Sequence, residues 1–110
     1  MEVTAQLRQL RIAPRKVRLA VNLVRGLSVV QAEQQLQFMN KISALPLLKL
    51  LRSAVANAEN NHKLSRESLR VVEAATQTAP TLKRTGSRAR GSSTLIRKRA
   101  SHIKIVLSDE

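Results

Sequence analysis

From Leu82 to Ile105 the chain reads LKRTGSRARGSSTLIRKRASHIKI, with eight basic residues, two glycines and no acid. The segments on either side are patterned as β-strands. Leu69 to Thr78 (LRVVEAATQT) carries Val and Thr at β-favouring positions. Ile96 to Leu107 (IRKRASHIKIVL) puts Arg97, Arg99, Ser101, Ile103, Ile105 and Leu107 on one face by the two-residue period. That face is cationic where the strand begins and apolar where it ends. Antiparallel pairing of the two would turn PTLKRTGSRARGSSTL into a long hairpin leaving the body, with its tip near Thr85 to Ser93. About ten residues per arm at about 3.3 Å each predict a projection of about 30 Å. An isolated ribbon of that length is marginal in water, so a polyanion along its flanks is expected. The competing reading is a floppy basic loop, and the ordered alternation after Thr94 argues against it.

The rest of the chain sets the scale of the body. The 110 residues suit one domain with one modest core. The apolar fraction of 43% supports a folded protein, and Phe38 is the sole aromatic residue, so the core must be aliphatic. The net charge is +13, of which the Leu82–Ile105 stretch supplies +8. A magnitude of about 2 to 8 is enough for solubility. The excess costs stability by self-repulsion unless a polyanion relieves it. There is no cysteine, hence no disulfide framework and no thiolate metal site. Met1 is followed by an alternating polar stretch without the apolar run of a signal peptide, and the longest apolar run is too short to span a bilayer. A soluble intracellular protein is expected.

Along the chain, EVTAQLRQLRI (Glu2 to Ile12) alternates, with Val3, Ala5 and Leu7 on one face, and predicts an edge strand. APRKVRLAVNLVRG has Pro14 at a first helical position and Gly26 just past a last turn. Val17, Ala20, Val21 and Val24 form its apolar stripe. Arg15, Lys16, Arg18 and Arg25 lie largely off it, either as a solvated basic face or as anion contacts. SVVQ fits a capping box, with Ser28 and Gln31 exchanging bonds at the start of a short helix to about Gln37. NKISALPLLKLLRSAVANAENNH predicts the longest helix, capped by Asn40, with Leu45, Leu48, Leu51, Val55 and Ala58 as a stripe broadened by Leu47, Leu50 and Ala54. Pro46 predicts a kink or a loose first turn. ENNH fits a helix end in which Asn adopts the left-handed conformation.

Catalytic and metal chemistry find no footing. GSRARGSS has the glycine spacing of a phosphate-binding loop, but Ser92 stands where its Lys belongs and no helix follows. Its glycines are better explained by positive φ at the hairpin turn or close approach to phosphate. His62, at a helix end, and His102, packed on a strand or against a phosphate, have no paired ligand spacing. The seven acids are scattered, so neither an acid–base pair nor an activated nucleophile can be assembled. No enzyme, no metal and no cofactor are expected. The shortage of aromatics also excludes recognition by base stacking. What remains is phosphate and 2′-hydroxyl contact by Arg and Lys, together with shape.

Four blocks, APRKVRLAVNLVRG, LLKLLRSAVANAENN, PTLKRTGSRARG and IRKRASHIKIVLSD, together resemble the bacterial large-subunit ribosomal protein family L-twenty-two, in order and over nearly the whole chain. With the element pattern, the resemblance implies an α+β fold: three helices packed on a small antiparallel three-stranded sheet with a long protruding β-hairpin. It implies a single domain over 1–110, with the body at about 1–78 and 101–110 and the hairpin at about 79–100. It also implies a structural constituent of the large ribosomal subunit that binds large-subunit rRNA and supports subunit assembly, its hairpin lining the peptide exit tunnel. Carried over, Arg15, Lys16 and Arg18 would meet rRNA phosphates. Lys83, Arg84, Arg97, Lys98 and Arg99 would flank the hairpin stem, and Arg88, Ala89, Arg90 and Gly91 would line the tunnel at the tip. The implied partners are rRNA, neighbouring large-subunit proteins, and the nascent peptide and macrolides near the tip, without a membrane, in the cytoplasm. Ala13, Ser87 and Ser92 depart from the capping Ser, the Pro and the Arg usual in the family.

Two other classes fit less well. An architectural DNA-binding protein with β-ribbon arms uses an apolar or proline wedge at the tip, and Thr85, Gly86, Ser87 and Ala89 offer none. A membrane-active protein needs a basic amphipathic helix with bulky anchors, whereas the basic stretch here holds glycines and serines.

Overall fold

The computed structural model describes residues 2–87, 89–91 and 93–109. The chain runs β1 (Glu2–Leu10), α1 (Pro14–Val24), α2 (Val29–Phe38), α3 (Ala44–His62), β2 (Arg70–Thr78), β3 (Leu82–Ser87), β4 (Ser93–Lys98) and β5 (Ser101–Ser108), with a short 3-10 turn at Arg66–Ser68. The body's sheet is antiparallel in the order β1-β5-β2, and β3 and β4 form a separate two-stranded sheet. The α+β fold with a protruding hairpin is as expected, and β1 is indeed an edge strand.

The three helices cover one face of the sheet. α1 packs on β2, α3 on β1 and β5, and α2 on α3. Val17, Ala20, Val21 and Val24 of α1 are buried as one stripe at helical spacing, while Leu19 and Leu23 stay exposed on the same helix. They meet Val71 and Ala74 of β2 and Ile103, Ile105 and Leu107 of β5 in one aliphatic cluster. α3 contributes Leu47, Leu48, Leu50, Leu51, Ala54, Val55 and Ala58. Phe38 stays outside the cluster, 81% exposed.

The helix ends follow local chemistry. α1 begins at Pro14 with Ala13 in the N-cap position, where no side chain caps the free N–H groups. It ends before Gly26, whose φ of 85° suits a residue without Cβ. The Ser28 hydroxyl accepts the Gln31 N–H at 3.3 Å, so this half of the expected capping box forms.

α3 departs from expectation in four ways. Its N-cap is Ser43 and not Asn40. Pro46 is therefore the third residue of the helix, where the backbone N–H has no intrahelical partner in any case, and the ring needs neither a kink nor a loose turn. Leu45 is 58% exposed and does not belong to the buried stripe, which Leu47 and Leu50 fill in its place. At the other end Lys63, and not an Asn, takes the left-handed conformation (φ 57°), and the Leu64 N–H closes onto the Ala58 carbonyl at 3.1 Å.

The second long strand is also corrected. In place of one strand from Ile96 to Leu107 there are two, β4 and β5, interrupted at Arg99 and Ala100. The Ala79 N–H still donates to the Ala100 carbonyl at 3.1 Å, but Pro80 has no N–H with which to continue the ladder. Between the pairs Thr78↔Ser101 and Leu82↔Lys98 lie three residues on one arm (79–81) and two on the other (99–100). An extra residue on one arm of an antiparallel pair bends and twists the ribbon. The hairpin therefore joins the body through an irregular neck at 79–81 and 99–100.

Candidate nucleic-acid interface

β3 and β4 are paired in register from Leu82↔Lys98 to Ser87↔Ser93. Thr85, Gly86 and Ser87 thus belong to the stem, and the tip is shorter than the expected Thr85–Ser93. Six residues per strand at about 3.3 Å give a ribbon of about 20 Å, less than the projected 30 Å, with the neck supplying additional reach. The radius of gyration is 17.0 Å, against about 13 Å for a compact chain of this length. The overall extents of 62 × 25 × 18 Å place the excess along one axis.

The expected site residues fall into three groups. Arg15, Lys16 and Arg18 are exposed on α1, on the side away from its buried stripe. Lys83, Arg97 and Lys98 are exposed on the stem, and Arg99 is exposed in the neck. Arg84 stands opposite Ile96 in backbone register. At the tip Arg90 is exposed and adopts φ 61°, followed by Gly91 at 72°. Two consecutive left-handed residues reverse the chain there, and Gly91 meets that requirement without a Cβ. Arg88 lies outside the described residues, as do the side chains of Arg84 and Ala89.

The neck is a concave cationic place. An open cleft of about 760 Å³ is lined by Gln9, Arg11, Ala13, Pro80, Arg97, Lys98, Arg99 and Ala100. It joins hairpin cations to Arg11, which follows β1, and to the uncapped N-terminus of α1 at Ala13. The partial positive charge of a helix N-terminus adds to that of the side chains. The buried Ser101 hydroxyl donates to the Ile12 carbonyl at 2.6 Å, which holds the β1–α1 segment against the start of β5. The sequence reading missed Arg11 and Gln9. Their signal was position: they sit in the acid-free stretch between Glu2 and Glu33, just before the proline that starts α1.

Arg25, expected on the basic face, has a structural role instead. Its Nε and Nη2 both donate to the Ala74 carbonyl. His62 ends α3 and is exposed. His102 lies on β5, where its Nδ1 accepts the Gln9 backbone N–H at 3.1 Å. Among the described residues no group of acids and histidines could hold a metal ion, and no helix is long and apolar enough to cross a membrane.

This arrangement defines a class of small basic α+β proteins that carry exposed cations on a ribbon and its neck, outside an aliphatic core. The family described as ribosomal protein L22p/L17e matches residues 5–108, and the chain belongs to it. It is a family of structural proteins and not of enzymes. Similar relatives named large ribosomal subunit protein uL22 come from Thermoanaerobacter pseudethanolicus (46% identical, covering 100% of this chain and 99% of the relative), Macrococcus caseolyticus (49%, 100% and 89%) and Staphylococcus aureus (48%, 99% and 93%).

Proposed function

We propose that this chain is a structural constituent of the large ribosomal subunit in the cytoplasm, where it binds large-subunit rRNA, supports subunit assembly and extends its hairpin to line the peptide exit tunnel. The observation that carries this reading is the projecting β3–β4 ribbon, with exposed Lys83, Arg97 and Lys98 on its stem and Arg99 at its base. A two-stranded ribbon does not stabilise itself in water. Phosphates along its flanks relieve the repulsion among its cations and supply the missing contacts.

In this reading the chain is one domain, with a body of about 1–78 and 101–110 and a hairpin of about 79–100. The rRNA contacts are Arg15, Lys16, Arg18, Lys83, Arg84, Arg88, Arg90, Arg97, Lys98 and Arg99, joined by Arg11 in the neck cleft. Neighbouring large-subunit proteins are further partners. Arg88, Ala89, Arg90 and Gly91 form the tunnel wall, next to the nascent peptide and to macrolides. The family match over residues 5–108 and the names of the relatives support the coarse assignment. The left-handed backbone of Arg90 and Gly91 suits a chain reversal at the tip.

The test is to replace residues 88–92 by an Asn-Gly turn and follow two readouts. Entry into large subunits on gradients should be retained, because the core cluster formed by the described residues lies in the body. Macrolide sensitivity or nascent-chain pausing should shift. Loss of entry, or normal entry with neither tunnel readout moved, would contradict the proposal.

A further inference from the structure

We propose that His102 is a pH-sensitive latch on the end of β1: its neutral ring holds the bulge that leads into the neck, and taking up a proton opens it. The latch works within the chain itself and does not rest on the proposed function.

Three residues build the bulge. Leu7 pairs with Ile103 and Leu10 with Ser101, so Arg8 and Gln9 of β1 stand against His102 alone on β5. Two residues opposite one interrupt the ladder and leave a backbone group to be satisfied in another way. Gln9 sits there with φ 60°, a conformation that residues with a Cβ adopt uncommonly. Its N–H goes to a side chain in place of a backbone carbonyl: Nδ1 of the His102 ring accepts it at 3.1 Å.

The preceding residue of β5 holds the other side. Ser101 is buried, and its hydroxyl donates to the Ile12 carbonyl at 2.6 Å. The Ile12 N–H in turn donates to the Leu10 carbonyl at 2.8 Å. Two consecutive side chains thus grip residues 9–12 from both ends. The hydroxyl's grip is indifferent to pH, and the imidazole's is not. A ring nitrogen that accepts carries no proton, so the ring is neutral with its hydrogen on Nε2. Imidazole is the side chain that ordinarily changes charge near neutral pH. The second proton goes to Nδ1, turns the acceptor into a donor and sets N–H against N–H at Gln9.

The surroundings push the same way. Burial alternates at the start of β5, which puts Ser101 and Ile103 on the helix-covered face and His102 and Lys104 on the open one. The ring lies in an open groove of about 380 Å³. The charged groups facing it there are Arg8 from β1 and Lys104 from β5, while β2 contributes the neutral Gln77. Among the described residues no acid lines this groove. The imidazolium therefore meets two like charges without a carboxylate to offset them, and swings towards solvent. Gln9 then loses the bond that keeps it in the left-handed region. Gln9 also lines the neck cleft with Arg11 and Arg99, so opening the latch loosens the β1 wall of the neck.

The test is NMR on the full chain carrying His62→Gln, which leaves a single imidazole; His62 is exposed at the end of α3, away from the bulge. At about pH 8 the ring nitrogen shifts should report the Nε2–H tautomer, and the Gln9 amide should be protected from hydrogen exchange. On lowering the pH to about 5.5, that protection should fall about fivefold or more. His102→Asn places a side-chain oxygen that does not titrate near the position of Nδ1, and there protection should hold over the whole range. The first experiment leaves residue 102 untouched, so it decides even where His102→Asn folds poorly. An Nδ1–H tautomer or an unprotected Gln9 amide at the higher pH overturns the proposal. So does protection that is unchanged at the lower pH, or an equal fall in a folded His102→Asn.

Discussion

The guanidinium of Arg25 donates twice to the carbonyl of Ala74, from Nε at 3.0 Å and from Nη2 at 2.5 Å, and so ties the end of α1 to the middle of β2. A planar fork can make both bonds at once, which an ammonium cannot reproduce. Arg25→Lys should lower stability by about 1 kcal/mol, and Arg25→Ala by about 1–2 kcal/mol. Urea unfolding of the full chain checks this. Midpoints equal to the parent's would mean that the pair contributes nothing in solution.

The core depends on α3. Leu51 is fully buried, together with Leu47, Ala54 and Ala58 of the same helix. No aromatic ring can relax into a space left there, because Phe38 is on the surface. Leu51→Ala should cost about 2–5 kcal/mol, a large share of the stability of a domain this size. It should appear as a lower urea midpoint at constant slope. No change would mean that the buried face of α3 is wrongly assigned.

Thr76, on β2 opposite Ile103, buries its Oγ1 without a hydrogen-bond partner. An unpaired buried hydroxyl costs about 1–3 kcal/mol in desolvation. Thr76→Val keeps the branched shape and removes the hydroxyl, so stability should stay level or rise by up to about 1 kcal/mol. A clear loss in thermal or urea unfolding would show that the hydroxyl has a partner.

Much of this was legible in the sequence where one local rule acts alone. The stripe Val17, Ala20, Val21 and Val24 has a single helical solution, and it is the buried one. Ser28 followed three residues later by Gln31 has one use, the N-cap. Legibility failed where two rules competed. Asn40 and Ser43 are both good caps, and the packing of Ala44 and Leu47 against the body selected the later one. That choice also rotated Leu45 out of the core and moved Pro46 into the first turn. The alternation from Arg97 to Leu107 runs unbroken in the sequence, and the interruption at Arg99 and Ala100 is imposed from the other arm by Pro80 and the extra residue of 79–81. For the site, the hairpin cations stood out because no acid interrupts them. Arg11 became part of the same surface only when the fold brought the end of β1 to the neck. Arg25 looks like its basic neighbours in sequence, and only the Ala74 carbonyl beside it distinguishes it.

The most direct test of the central claim, that the cations of the ribbon and neck bind large-subunit rRNA through its phosphates, is a salt titration of full-chain binding to the large-subunit rRNA transcript. Each phosphate neutralised adds about −0.7 to −0.9 to the log–log slope. With five or more contacts the slope should be about −3.5 or steeper, and Arg97→Gln, Lys98→Gln and Arg99→Gln together should make it shallower by about 2 to 3. A flat titration, or a triple variant with the parent's slope, would contradict the account.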